Sequence, residues 1–103
     1  VLERWDQTFI GQRAIAAMLD ARPRDIQTRH ICSNIEIFPR DDGEATGITY
    51  FLFFREAGDM GGPLALTGIK MIGEYHDLFR RSDSGWLIAR RSIKIIFRDE
   101  TAG

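Results

Sequence analysis

The sequence predicts an α+β fold, with one short helix followed by a mainly antiparallel sheet of four long strands. Apolar residues recur at helical spacing only between residues 11 and 21. From residue 27 onward the chain runs in long stretches rich in Ile, Thr, Tyr and Phe, the composition of strands. Two junctions between these stretches carry hairpin letters, Asp42-Gly43 and the SDSG at 82–85.

The first stretch, VLERWDQTFIG, is short and mixed, with Leu2 to Trp5 as a candidate strand. GQRAIAAMLDARP then reads as an amphipathic helix over 11–21. Ala14, Ile15, Met18 and Leu19 fall on one side, Gln12, Arg13 and Asp20 on the other, and Pro23 marks the end. Strands are predicted over 27–38, 45–56, 65–80 and 86–98, with GDMGGP at 58–63 as a glycine-rich loop. That loop lacks the strand-to-helix context of a phosphate cradle.

The 103 residues suit a single domain over 1–103 with a modest core. An apolar share of 44% beside 28% charge is a globular balance, not that of a disordered chain. A net charge of -1 lacks the basic surplus of a nucleic-acid groove, so no such partner is expected. Cys32 is the only cysteine, which excludes an intrachain disulfide and a thiol-rich zinc site. The two histidines are far apart, and neither a metal nor a cofactor is expected. No run has the length of a membrane span and no signal peptide is visible, so the expectation is a cytoplasmic protein without a membrane partner. The start at VLERW rather than Met leads us to expect that part of the natural N-terminus is missing.

Turn geometry sets an expected register. A two-residue Asp42-Gly43 loop pairs Asp41 with Glu44, placing His30 opposite Arg55, Cys32 opposite Phe53 and Asn34 opposite Phe51. His30, Cys32 and Asn34 then share one face by period-2 alternation. A four-residue loop at 82–85 pairs Arg81 with Trp86, Phe79 with Ile88, Asp77 with Arg90 and Tyr75 with Ser92. Both sheet faces are apolar: Ile48, Tyr50, Leu52 and Phe54 point one way, Phe51 and Phe53 the other. Such a sheet needs cover on both sides, more than one short helix supplies. A homodimer or higher oligomer through the sheet is therefore expected.

Taken together, GQRAIAAML, TRHICSNIEI and GEYHDLFRRSDSGWLIARR resemble the SnoaL-like domains of the nuclear transport factor 2-like superfamily. The most specific pieces are Arg29, His30 and Asn34; Gly73, Tyr75 and Asp77; and Gly85 and Trp86 with Arg90 or Arg91. The resemblance implies an α+β cone, in which a curved, mainly antiparallel sheet wraps over N-terminal helices and encloses a pocket. It implies dimers formed through the outer sheet face. Members usually begin with two further helices, which in dehydratase-like enzymes carry an aspartate and tyrosines to the pocket; this chain is expected to lack them. Relatives include scytalone dehydratase, ketosteroid isomerase, polyketide cyclases and the non-catalytic small subunits of ring-hydroxylating dioxygenases. Two functions therefore stand side by side. One is a cofactor-independent dehydratase, isomerase or cyclase acting on a small apolar molecule. The other is a non-catalytic ligand-binding or oligomerisation module.

By its place on the strand, His30 matches a pocket histidine of scytalone dehydratase, which makes it a candidate acid or base. The alternative is a core histidine bonded to Asn34 or to a missing helix. An Arg55 opposite it is expected to depress its pKa. Tyr75 is the second catalytic candidate, a hydroxyl donor to a carbonyl oxygen, or else a core residue with its hydroxyl at the rim. Asn34, Phe51, Phe53, Asp77 and Arg90 complete the candidate ligand-binding set. Asp77 and Arg90, directly opposed, also read as a cross-strand ion pair. His76 reads as a surface or interface residue, Trp86 as a core anchor, and Cys32 as a small buried hydrophobe.

Overall fold

The computed structural model describes residues 1–4, 7–59 and 61–100. Trp5, at the end of the first expected strand, and Met60 of the glycine-rich loop lie outside them. Two short strands, β1 (Leu2–Glu3) and β2 (Thr8–Phe9), precede α1 (Gln12–Asp20). Four long strands follow: β3 (Ile26–Pro39), β4 (Glu44–Ala57), β5 (Met71–Ser82) and β6 (Gly85–Arg98). They form one six-stranded sheet in the order β2-β1-β6-β5-β4-β3. Every pairing is antiparallel except β1 with β6, where Leu2 lies beside Arg91. This is the α+β arrangement that the sequence predicts.

Helix α1 closes where its backbone donors turn back, Ala21 to the Ala17 carbonyl and Arg22 to that of Leu19, just before Pro23. Its cover of the sheet is partial. No helix residue is buried, Ala14, Ile15 and Met18 are half-buried, and Leu19 is 48% exposed. No helix among the described residues is long and apolar enough to cross a membrane.

The strand expected over 65–80 begins only at Met71. Thr67 turns aside to bond the Glu56 carboxylate through both its backbone N–H and its hydroxyl, and Gly68 takes φ 128°. Regular pairing cannot pass through that backbone.

Both hairpin registers depart from expectation by single residues. The β3–β4 loop holds three residues, not two. Arg40 N–H bonds the Glu44 carbonyl, Asp42 Oδ1 accepts from Glu44 N–H, and Gly43 takes the left-handed conformation at φ 77°. A bulge then sets Asn34 and Ile35 against Thr49, with Asn34 at φ 52°. The two slips add, so His30 faces Phe53 instead of Arg55, Cys32 faces Phe51, and Thr28 takes the place opposite Arg55. A shift of two residues leaves His30 and Cys32 on the expected face. Asn34 is carried into the bulge.

In the second hairpin, the expected pairs Arg81–Trp86 and Phe79–Ile88 hold. A bulge at Ala89 then moves the partner of Asp77 from Arg90 to Arg91, and that of Tyr75 from Ser92 to Ile93. A second bulge at Ile96 lies further along β6. Extra residues on one strand of a pair bend the sheet and increase its twist, which curves it around one face.

That inner face holds the core. The buried residues are Ala45, Gly47 and Phe51 on β4 with Gly73, Tyr75 and Asp77 on β5, all in phase. Gly73 is required by close approach: a Cβ there would fall 2.5 Å from Phe51 Cζ and 2.7 Å from the Lys94 carbonyl. The outer face is open, with Ile31, Tyr50, Leu87 and Phe97 between 45% and 65% exposed. A radius of gyration of 15.7 Å, against about 13 Å for a compact chain of this length, fits a sheet lacking a second full layer. Two sequence expectations fail because the residues lie at the margins of the sheet. Trp86, at the tip of the β5–β6 hairpin, is 54% exposed, and Cys32, on edge strand β3, is exposed too.

Candidate functional site

The curved inner face shapes a cavity of about 340 Å³ between the four long strands and the segment that follows α1. Phe51, Phe53, Ile93 and Ile95 make its apolar surface. His30 from β3 and Tyr75 from β5 supply the polar groups, and Arg22 and Arg55 stand on its border. The volume is in the range of small-molecule sites.

Alternation and register bring the aromatic rings together. His30 lies 4.8 Å from Phe53 and 5.8 Å from Phe51, measured between ring centroids. Phe51 stacks on Tyr75 at 4.4 Å with planes 20° apart, made possible by the missing side chain at Gly73. His30 and Tyr75 are 6.4 Å apart, centroid to centroid, across the cavity.

Behind Tyr75 sits a pair that sequence reasoning nearly found. Arg91 donates from Nε to Asp77 Oδ1 at 2.8 Å and from Nη2 to Oδ2 at 2.9 Å. The same guanidinium lies 4.1 Å from the centroid of the Tyr75 ring. Phe51 and Arg91 come from the strands on either side of β5, so they flank the tyrosine from both sides. The Tyr75 ring is thereby clamped between a phenyl ring and a cation.

The environments of the two polar groups push their titrations apart. Partial burial against Phe53 is the main cause holding His30 below its usual 6.5, followed by the charges of Arg22 and Arg91. Arg55, the expected cause, is not among them, because it stands opposite Thr28. Burial raises Tyr75 above its usual 10.0, outweighing the opposing pull of Arg91. The Arg91 pKa is raised, first by its hydrogen bond to Asp77, so this guanidinium stays charged. At neutral pH the cavity therefore holds a neutral imidazole, which accepts a proton, and a neutral phenol, which donates a hydrogen bond. Among the described residues, no hydrogen bond ties the Tyr75 hydroxyl or the His30 ring to another group.

Of the seven candidate residues, His30, Tyr75, Phe51 and Phe53 line one cavity, while Asn34, Asp77 and Arg90 do not. Asn34 is exposed in the β3 bulge. Asp77 lies beneath Tyr75, 5% exposed and bound to Arg91. Arg90 is paired with Leu78, turned to the outer face, and ion-paired with Glu3. His76, half-exposed, bonds Glu74 at 2.9 Å. Sequence reasoning missed Thr28, Arg22, Ile93 and Ile95. Thr28 was available, since it is in phase with His30. Arg22 carried no periodic signal, because it belongs to the connection after α1. Among the described residues, no group of three or more His, Cys, Asp or Glu side chains is arranged to hold a metal ion.

The family model described as a SnoaL-like domain matches residues 1–92. Solved structures share the fold. ActVI-ORFA from Streptomyces coelicolor is 21% identical with a TM-score of 0.71, over 91% of this chain and 72% of that one. A candidate scytalone dehydratase from Novosphingobium aromaticivorans is 22% identical with a TM-score of 0.76, over 96% of this chain and 64% of that one. A nuclear transport factor 2-like protein with a cystatin-like fold, also from Novosphingobium aromaticivorans, is 20% identical with a TM-score of 0.72, over 98% and 64%. The chain thus spans less than two thirds of the length of the latter two. No curated protein matches it.

Proposed function

The chain belongs to the SnoaL-like domain family, and on that premise we propose that it binds a small, largely apolar, ring-bearing molecule and acts on it by proton transfer without a cofactor. The observation that supports this is the pairing of His30 and Tyr75. Two neutral groups of opposite proton-transfer character stand 6.4 Å apart, centroid to centroid, on aromatic walls. His30 takes a proton from the carbon next to a ligand carbonyl, and the electron pair of that C–H bond moves to the carbonyl oxygen. The Tyr75 hydroxyl donates a hydrogen bond to the enolate oxygen so formed. In a ligand whose carbonyl is flanked by a further double bond, the enolate is a dienolate, and returning the proton to its far carbon gives isomerisation. Protonating and expelling a β-hydroxyl as water gives dehydration. Attack of the enolate carbon on a second carbonyl of the same molecule, whose oxygen takes back the proton from the His30 imidazolium, gives cyclisation.

The reading is tested without knowing the natural reaction. A ring ketone such as α-tetralone, incubated with the protein in deuterated water, should exchange its acidic C–H, as followed by proton NMR. His30→Gln should lower that rate by roughly 10²- to 10⁴-fold, the usual worth of a positioned acid or base. A protein that binds the ketone tightly and never exchanges it is a non-catalytic binding module instead.

We also propose that the open outer face is covered by a second copy of the chain. Its support is the exposure of Ile31, Tyr50, Leu87 and Phe97 on that single face.

A further inference from the structure

The cavity shared by His30 and Tyr75 is bordered by cations and by no carboxylate. Arg4, Arg22 and Arg55 line it, and no Asp or Glu does among the described residues. Three of the carboxylates nearest the sheet's arginines are engaged elsewhere: Asp77 with Arg91, Glu44 with Arg80, Glu3 with Arg90. Among the described residues, neither Arg22 nor Arg55 forms an ion pair or a side-chain hydrogen bond. Arg22 lines the same cavity as both reactive groups. After burial, its charge is the second cause acting on His30 and the least of those acting on Tyr75.

This charge pattern has a chemical consequence. A guanidinium at the edge of an apolar cavity must either stay hydrated or meet an anion from the ligand. A planar carboxylate matches its forked donors with two parallel bonds. The apolar surface of Phe51, Phe53, Ile93 and Ile95 calls at the same time for a ring body, so a free inorganic anion leaves most of the cavity unmatched.

We infer that the ligand is a ring-bearing carboxylate, received by Arg22 and Arg55 while its rings lie on Phe51 and Phe53. The inference rests on the reading of this cavity as the binding site, and it adds the substrate class. Arg22 and Arg55 become the residues that set specificity, and His30 and Tyr75 act on a ligand oriented by its anionic end.

Calorimetric titration of the full chain with naphthoate, methyl naphthoate and naphthyl phosphate tests it. Naphthoate should bind about tenfold or more tightly than its neutral methyl ester, the scale of hydrogen bonds to a charged group. Added salt should narrow that gap. The double variant Arg22→Gln, Arg55→Gln should bind acid and ester within about twofold of each other, the larger loss falling on the acid. Equal binding of acid and ester by the parent overturns the carboxylate assignment and leaves the cavity reading in place, as does a preference that survives the double variant. Tighter binding of the naphthyl phosphate overturns it in favour of a phosphoryl ligand. If none of the three binds, the cavity is not the site and both readings fall.

Discussion

Arg91 grips the buried carboxylate of Asp77 with two parallel hydrogen bonds, and the same guanidinium packs on the ring of Tyr75. The Asp77 side chain is 2% exposed and that of Arg91 31%, so the pair is dry at one end and wet at the other. A carboxylate left alone in that place would be desolvated without a partner. Arg91→Leu should therefore cost about 2–4 kcal/mol, the cost of breaking a buried pair reduced for the partly exposed arginine. The double variant Asp77→Leu, Arg91→Leu should recover part of that loss. Urea unfolding of the parent, both single variants and the double variant measures it, and additive losses would show that the pair is not coupled.

The hydroxyl of Tyr75 is separable from its ring. Tyr75→Phe keeps the stack on Phe51 and the contact with Arg91 but removes the donor aimed at the ligand. Melting temperature should change little, while ketone exchange should slow by roughly 10²- to 10³-fold, as when one oxyanion donor is lost. A large drop in melting temperature with unchanged exchange would make the tyrosine a core residue only.

Protonation of His30 links the site to acid stability. Its folded pKa lies below the unfolded 6.5, so as pH falls the unfolded chain takes up this proton first. Its contribution to stability is complete above about pH 6.5, shrinks as pH falls below that value, and levels off once the folded ring is protonated too. His30→Gln should remove that part of the acid limb from a series of melts between neutral and acidic pH. An NMR titration of the His30 ring at or above its usual pKa would contradict the direction of the shift.

Gly73 allows Phe51 to cross over β5 and reach Tyr75. Gly73→Ala should push the Phe51 ring out of its stack and cost about 1–3 kcal/mol, the range for overpacking a filled site. Since Phe51 is also a cavity wall, naphthoate affinity should fall together with stability. Unchanged affinity in the folded variant would show that the ring does not shape the site.

Charges on the outer face test the proposed assembly. The parent chain should sediment as a dimer or higher oligomer, and Tyr50→Lys with Phe97→Lys should shift it toward monomer at the same concentration. A parent that stays monomeric across a wide concentration range removes the proposal.

Much of this protein can be obtained from its sequence alone. Period-2 alternation sets His30 and Cys32 on one side of β3 and Phe51 and Phe53 on one side of β4. The expected sharing of a face by His30 and the two phenylalanines survives because the two one-residue slips add to a full period. The β4–β5 pairing then adds Tyr75 to that face. The α+β class, the helix near 12–20 and the positions of the four long strands follow from equally local rules. Which residue meets which across strands does not. The three-residue loop at Asp41–Gly43 and the bulges at Asn34, Ala89 and Ile96 each move the register by one. These moves take Asn34 out of the site, give Asp77 to Arg91 in place of Arg90, and set Phe53 opposite His30. A bulge is favoured by the curvature of the whole sheet as well as by its own residues, so a single strand does not announce it. The arginines at the cavity border were hidden for a related reason. Arg22 arrives from the turn after α1, and only the closing of the chain over the inner face brings its charge beside His30 and Tyr75.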